Sequence, residues 1–130
     1  MTSVCNGALV LGAAGLLRGY RSACHWLWRD YLPRYGAIPV AERIVRDRNR
    51  MSGGGVTAGI DFGLVVAAAL FGGAVAQDIQ LTIEYNPAPP FDSGSRKTAP
   101  AAVVERVSQA RLGVQSDRRA IAERAARRGR

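Results

Sequence analysis

The chain has 130 residues, of which 48% are hydrophobic and 22% charged. This length fits one globular domain, and this composition excludes an intrinsically disordered chain. The net charge is +8, and residues 101–130 carry +5 of it through eight arginines against three acidic residues. This segment is predicted to be a solvated, Arg-rich helical tail. Nucleic acid is not an expected partner, because no helix-turn-helix pattern or aromatic-studded basic strand accompanies the arginines.

Strand and helix signals alternate along the chain. Strand-like segments are predicted at residues 1–5, 21–24 and 37–40, with a hairpin of residues 43–47 and 50–52, and helices at residues 6–17, 27–35, 57–71, 75–85 and 100–128. This order predicts an α/β fold with a mainly parallel sheet. The predicted domain division is an α/β unit over residues 1–100 and a helical tail over residues 101–130.

The first strand stops at Cys5, and a helix of small and apolar residues follows directly. A nucleophile on a sharp turn between a strand and a helix, with Gly7 two places further on, is the pattern of a nucleophile elbow. The N–H groups at the start of the helix stabilise negative charge and favour a thiolate. The sequence therefore predicts Cys5 as a catalytic nucleophile, although a free cysteine is more often a small buried hydrophobe.

Two further groups are expected near Cys5. His25 ends the next predicted strand, and the ends of neighbouring parallel strands lie side by side. Residues 53–55 form a Gly-Gly-Gly loop before a helix, where backbone N–H groups converge on an anion. Because bulky Trp26 and Trp28 follow Cys24, it is interpreted as a core residue or as a residue near the site without a catalytic role. Asp61 is predicted to be a buried, hydrogen-bonded carboxylate.

The cysteine and histidine counts set further limits. Two cysteines and one histidine neither build a four-ligand zinc site alone nor form a disulfide framework, so no metal and a cytoplasmic location are expected. Residues 56–76 contain one charge, Asp61. Glycines within that segment favour a buried helix and a turn over a membrane span.

Several longer motifs occur in one order along the chain. They are the residues around the cysteine elbow (3–17), the His25-Trp26 pair, residues 36–40, 45–47 and 53–62, and the segment 81–91 with its Ala-Pro-Pro-Phe end. In these motifs the chain resembles the C-terminal half of the ThiJ/PfpI superfamily, in the branch of isocyanide hydratases. The resemblance implies a flavodoxin-like three-layer sandwich, a homodimer, a small-molecule substrate and no cofactor.

The resemblance also implies residue roles. Cys5 matches the nucleophile that adds to the isocyanide carbon before water releases an N-substituted formamide, and His25 matches a histidine beside it. The predicted binding residues are Asn6, Gly7, Gly53, Gly54, Gly55 and Val56. The backbone N–H of Asn6 would help hold developing charge, Gly7 leaves room for the helix to pack on the strand, and the glycine loop with Val56 would lie against the active site.

The chain departs from the family pattern in three respects. Asn6 replaces the usual threonine after the nucleophile, and Arg48 replaces a glycine at the hairpin tip, where a positive φ is expected. The family's acid/base carboxylate lies upstream of the elbow, so the chain is expected to be N-terminally truncated and impaired as a hydratase. The alternatives are the ligand-sensing domain of an AraC-type regulator, and a thiol redox-sensing or glycation-repair relative.

Overall fold

The computed structural model describes residues 1–128, so the last two residues of the predicted tail lie outside the described part. The strands are β1 (Thr2–Val4), β2 (Arg21–Ser22), β3 (Ile38–Pro39), β4 (Ile44–Asp47) and β5 (Arg50–Gly53). The helices are α1 (Gly7–Ala13), a 3₁₀ helix (Arg29–Tyr35), α2 (Ala58–Phe71), α3 (Gly73–Thr82), α4 (Ala101–Gln109) and α5 (Leu112–Arg128). Strands and helices alternate as predicted.

Two small sheets form the strand layer. One has the order β1-β5-β4, with β1 and β5 parallel and β4 and β5 antiparallel. The other pairs β2 with β3 in parallel. Val4 is in register with Gly53, which brings the end of β1 directly beside the glycine loop. The predicted hairpin is also present. Arg48 at its tip has a φ of 51°, which is the positive, left-handed value expected there.

The main core lies between α1 and the 3₁₀ helix. Its buried members are Ala8, Leu17, Cys24, Trp28, Leu32 and Ala37. Gly12 lets the two helices approach closely, because a Cβ built on it would lie 2.8 Å from Cδ2 of Tyr35. The Tyr35 ring is itself buried, and its hydroxyl donates to the carbonyl of Ala122 in α5 at 3.3 Å.

Helix α1 ends four residues before the predicted end. Gly15 takes a left-handed φ of 74°. The N–H of Gly15 donates to the carbonyl of Gly12, and the N–H of Leu16 donates to the carbonyl of Leu11. This pair of bonds is a Schellman motif, in which a left-handed glycine closes the helix. Leu17 lies in the turn after the helix, and its side chain is still buried in the core.

Two other helix predictions need correction. The segment predicted as a helix over residues 27–35 contains a 3₁₀ helix over Arg29–Tyr35 rather than an α-helix, and Pro33 lies inside it without an N–H to donate. Residues 100–128 form two helices, α4 and α5, separated by Ala110 and Arg111. Helix α5 packs on the 3₁₀ helix and on α1.

The apolar segment 56–76 is a helix broken at Gly72, as predicted, but it is not a buried helix. Only Ala58 and Phe62 of α2 are buried, while Leu70 and Phe71 are about two-thirds exposed, at 68% and 67%. The reason is that α2 packs mainly on α3 and has fewer contacts with the strands β1 and β5. Over residues 1–128, no helix combines the length and apolar character needed to cross a bilayer.

Candidate functional site

Cys5 sits on the turn between β1 and α1. Its φ is 57°, a left-handed value that non-glycine residues rarely adopt. The Cys5 N–H donates to the carbonyls of Gly53 and Gly54 at 3.1 and 2.8 Å, so the parallel pairing of β1 with β5 continues into the turn. Backbone strain held by surrounding bonds is a recurrent property of functional sites.

The thiol of Cys5 is partly exposed and lies beside Asn6. Its Sγ is 3.8 Å from Oδ1 of Asn6, which accepts the weak S–H hydrogen bond. Gly7 begins α1, and a Cβ built on it would meet Ser3 Cβ at 3.5 Å, an ordinary contact. The packing of α1 on β1 therefore does not require glycine at position 7.

The glycine loop lies between Cys5 and His25. Gly53 and Gly54 bind the Cys5 N–H through their carbonyls, and a Cβ on Gly55 would lie 3.6 Å from Cδ2 of His25. Val56, the next residue, is 79% exposed. The structure thus brings Cys5, the glycine loop and His25 into one continuous region.

His25 is oriented by the backbone that follows it. Its Nδ1 accepts the N–H of Leu27 at 3.3 Å, which leaves Nε2 to carry the proton of the neutral ring. The ring stacks on Trp26 with centroids 6.0 Å apart. Within residues 1–128, no hydrogen bond joins Cys5 to His25.

Burial lowers the pKa of His25, and the positive charges of Arg111 and Arg118 lower it further. The lowered pKa favours the neutral form of the ring at pH 7. The sequence interpretation missed this electrostatic effect of Arg111 and Arg118 on His25. Arg118 lies over the ring of Trp28, with Cζ 4.7 Å from the centroid.

We expect an NMR titration of His25 to give a midpoint below 6.5, and the Arg118→Gln variant to move it upward toward that ordinary value. The cause is the loss of one nearby positive charge that disfavours imidazolium. Arg119→Gln is the matched control, because Arg119 pairs with Glu123 instead. Equal midpoints in the two variants would contradict the assignment.

Cys24 has the core position that the sequence indicated. It is only 3% exposed, and burial, followed by the nearby Cys5, raises the pKa of its thiol to about 12. A thiol with that pKa is protonated at neutral pH and is a poor nucleophile. The two cysteines therefore differ sharply in access.

Asp61 is hydrogen-bonded, as predicted, but only partly buried. It accepts from the Tyr85 hydroxyl at 2.8 Å and pairs with Arg43, whose guanidinium also donates to the carbonyl of Thr57. Burial raises the pKa of this carboxyl, but the hydrogen bonds from Arg43 and Tyr85 outweigh it, and the net pKa is below the ordinary 3.8. The carboxylate therefore connects the first turn of α2 to Tyr85, which follows α3, and to Arg43, which precedes β4.

Because folding lowers the pKa of Asp61, its ionised form stabilises the fold. This contribution is complete above pH 3.8, the ordinary value, and is lost as the pH falls through the lower folded pKa. We expect chemical denaturation between pH 7 and pH 2 to show a smaller acid-induced loss in Asp61→Asn than in the unsubstituted chain. If Asp61→Asn loses as much stability between pH 7 and pH 2 as the unsubstituted chain, this role for Asp61 is contradicted.

No group of three or more His, Cys, Asp or Glu side chains that could hold a metal ion occurs in the part of the chain that the structure describes.

The fold and elbow define the class of protein. Residues 1–69, which contain Cys5, His25 and the glycine loop, match the DJ-1/PfpI family, and the chain belongs to that family. It is 56% identical over 126 residues to an isonitrile hydratase from Pseudomonas putida, an alignment that covers 97% of this chain and 55% of that protein. The chain thus spans about half the length of this curated relative.

Solved structures agree with the fold prediction. A ThiJ/PfpI family protein from Pseudomonas syringae superposes with a TM-score of 0.88 at 50% identity, over 96% of this chain and 50% of that one. A mutant of a DJ-1 superfamily protein from Salmonella typhimurium superposes with a TM-score of 0.58 at 34% identity, over 66% of this chain and 46% of its own. The α/β fold and the superfamily resemblance are confirmed.

Proposed function

We propose that this chain carries the nucleophile of an isonitrile hydratase reaction, which converts an isocyanide and water to an N-substituted formamide. The observation that carries the proposal is the strained Cys5 elbow, bonded to Gly53 and Gly54, in a chain 56% identical to an isonitrile hydratase. The substrate class is small molecules with an isocyanide group.

In the proposed reaction the Cys5 sulfur adds to the isocyanide carbon, and that carbon takes up a proton to give a thioformimidate. Water then adds across the C=N bond, and collapse of this adduct releases the formamide and returns the thiol. The N–H groups at the start of α1, including that of Asn6, are assigned to hold developing charge. His25, neutral with its proton on Nε2, is assigned a proton-handling role.

We also propose that turnover by this chain alone is low. Asp47 and Asp61 are both tied to arginines, and hydrogen bonds keep the pKa of each below its ordinary value. Carboxyls ionised in this way cannot donate a proton near pH 7.

The test is incubation of the purified chain with benzyl isocyanide in H₂¹⁸O, with detection of N-benzylformamide by mass spectrometry. We expect formamide that carries the heavy oxygen, formed faster than in buffer and in a Cys5→Ala sample. Formation at the same rate in both samples would remove the proposal.

We further propose that the protein is a homodimer, with the outer face of α2 and α3 against a second copy. Leu70 and Phe71 are exposed on α2, and Leu81 on α3 is 82% exposed. Light scattering should give twice the chain mass, and the Leu70→Glu variant should give the mass of one chain.

We also propose a cytoplasmic location. The two free thiols, Cys5 and Cys24, suit a reducing compartment.

A further inference from the structure

A cavity of about 490 Å³ lies beside the glycine loop. Its lining includes His25 and Trp26 together with Gly54, Gly55 and Val56. The cavity therefore shares its walls with the candidate site. Its volume is within the range of small-molecule sites, roughly 300–1,000 Å³.

Two residues of the lining connect this cavity to the elbow. The carbonyl of Gly54 accepts the N–H of Cys5 at 2.8 Å. Cys24 also lines the cavity, and after burial the nearby Cys5 is the next cause that raises the pKa of its thiol. The cavity is thus the space next to the nucleophile in which the non-reacting part of a bound molecule can lie.

The charged side chains of the lining are mostly basic. They are Arg29, Glu42, Arg43, Arg96 and Lys97. Two of them have partners outside the lining, because Glu42 pairs with Arg21 and Arg43 pairs with Asp61. No ion pair among residues 1–128 includes the other three. The cavity therefore has three cations without a carboxylate partner in the described part of the chain.

Arg29 is the most enclosed of these three cations. It is half-buried, and its backbone N–H donates to the carbonyl of His25 at 3.1 Å, which holds the start of the 3₁₀ helix beside the histidine. Arg96 lies over Trp26, with its Cζ 5.4 Å from the ring centroid. A guanidinium presents its N–H groups in a planar fork that fits a carboxylate, and partial burial strengthens such a pair.

We propose that this cavity takes the non-reacting part of the substrate, and that this part carries a carboxylate that pairs with Arg29. Arg96 and Lys97 add positive charge around that carboxylate. The substrate class is then isocyanides that bear a carboxylate. This inference rests on the proposed function.

The kinetic test compares benzyl isocyanide with 4-(isocyanomethyl)benzoate, which differ only in the carboxylate. We expect kcat/KM to be about tenfold higher for the carboxylate compound, the size of effect that one charge-assisted hydrogen bond gives. Arg29→Gln should lower this ratio to about one. Lys97→Gln, a change in an exposed loop that does not threaten folding, should lower it about twofold.

Arg34→Gln is the matched control. Arg34 lies in the same 3₁₀ helix, but it pairs with Glu123 and is not among the residues that line this cavity. The ratio should therefore stay near tenfold in this variant. Equal kcat/KM for the two compounds in the unsubstituted chain, or a ratio that falls equally in Arg29→Gln and Arg34→Gln, would overturn the proposal.

A binding measurement separates this proposal from the proposed reaction. By calorimetry, 4-(formamidomethyl)benzoate should bind the Cys5→Ala protein more tightly than N-benzylformamide does, and adding Arg29→Gln, but not Arg34→Gln, should remove the difference. Such a result in a chain without turnover supports the cavity and counts against the reaction. Turnover without this difference in binding leaves the reaction standing and overturns the carboxylate site.

Inorganic phosphate identifies the source of the bound anion. At constant ionic strength, phosphate should displace 4-(formamidomethyl)benzoate only at much higher concentration than the unlabelled compound itself. Displacement at equal concentration would show a general anion site and overturn the assignment to the substrate's carboxylate.

Discussion

Cys5→Ala is expected to lower isocyanide turnover to the rate in buffer alone, because Cys5 is the residue proposed to form the covalent intermediate. The circular dichroism spectrum should not change, since Cys5 is only partly buried and lies outside the core cluster. Formamide release measured by liquid chromatography gives the rate.

Cys24→Ala is the matched control. Its sulfur is buried and its thiol pKa is raised to about 12, so it should contribute nothing to the chemistry. We expect turnover within about threefold of the unsubstituted chain, alongside a modest loss of stability from the core. Equal loss of activity in the two variants would mean that the elbow does not supply the nucleophile.

Gly12→Ala is expected to destabilise the fold even though alanine is the better helix former. The new Cβ would lie 2.8 Å from a ring carbon of Tyr35, whose burial and bond to Ala122 prevent it from moving away. Overpacking of this kind costs about 1–3 kcal/mol. It exceeds the gain of about 1 kcal/mol from helix propensity.

Gly63→Ala tests the same substitution without the clash. Gly63 lies inside α2, and nothing lies within 4 Å of the position its Cβ would take. Here only the helix propensity acts, so stability should rise by about 1 kcal/mol. Thermal unfolding of both variants should therefore shift in opposite directions. A rise in both would show that α1 and the 3₁₀ helix can separate at little cost.

Local sequence signals predicted the parts of the fold that local chemistry determines. The short strand before Cys5, the small residues after it and the Gly72-Gly73 break are all read from neighbouring residues. The end of α1 was misplaced because leucines beyond Gly15 continue the apolar pattern. In the structure Gly15 ends the helix with a Schellman motif, and Leu17 reaches the core from the turn.

Contacts between distant segments were not predictable in this way. The arginines of residues 101–130 read as a solvated tail, because nothing near them in sequence indicates a partner. The structure places Arg118 over Trp28, ninety residues away, and buries Ala122 against the 3₁₀ helix through Tyr35. Similarly, the apolar pattern of α2 predicted burial, but the residues described here cover only one side of it.

The most direct test of the central proposal is to find where an isocyanide bonds to the protein. The chain is incubated with benzyl isocyanide, quenched in acid, digested and mapped by mass spectrometry. The proposed reaction predicts a mass increase equal to one isocyanide on the peptide containing Cys5, and none on the peptide containing Cys24. An adduct on Cys24, or equal labelling of both peptides, would contradict the assignment of Cys5 as the nucleophile.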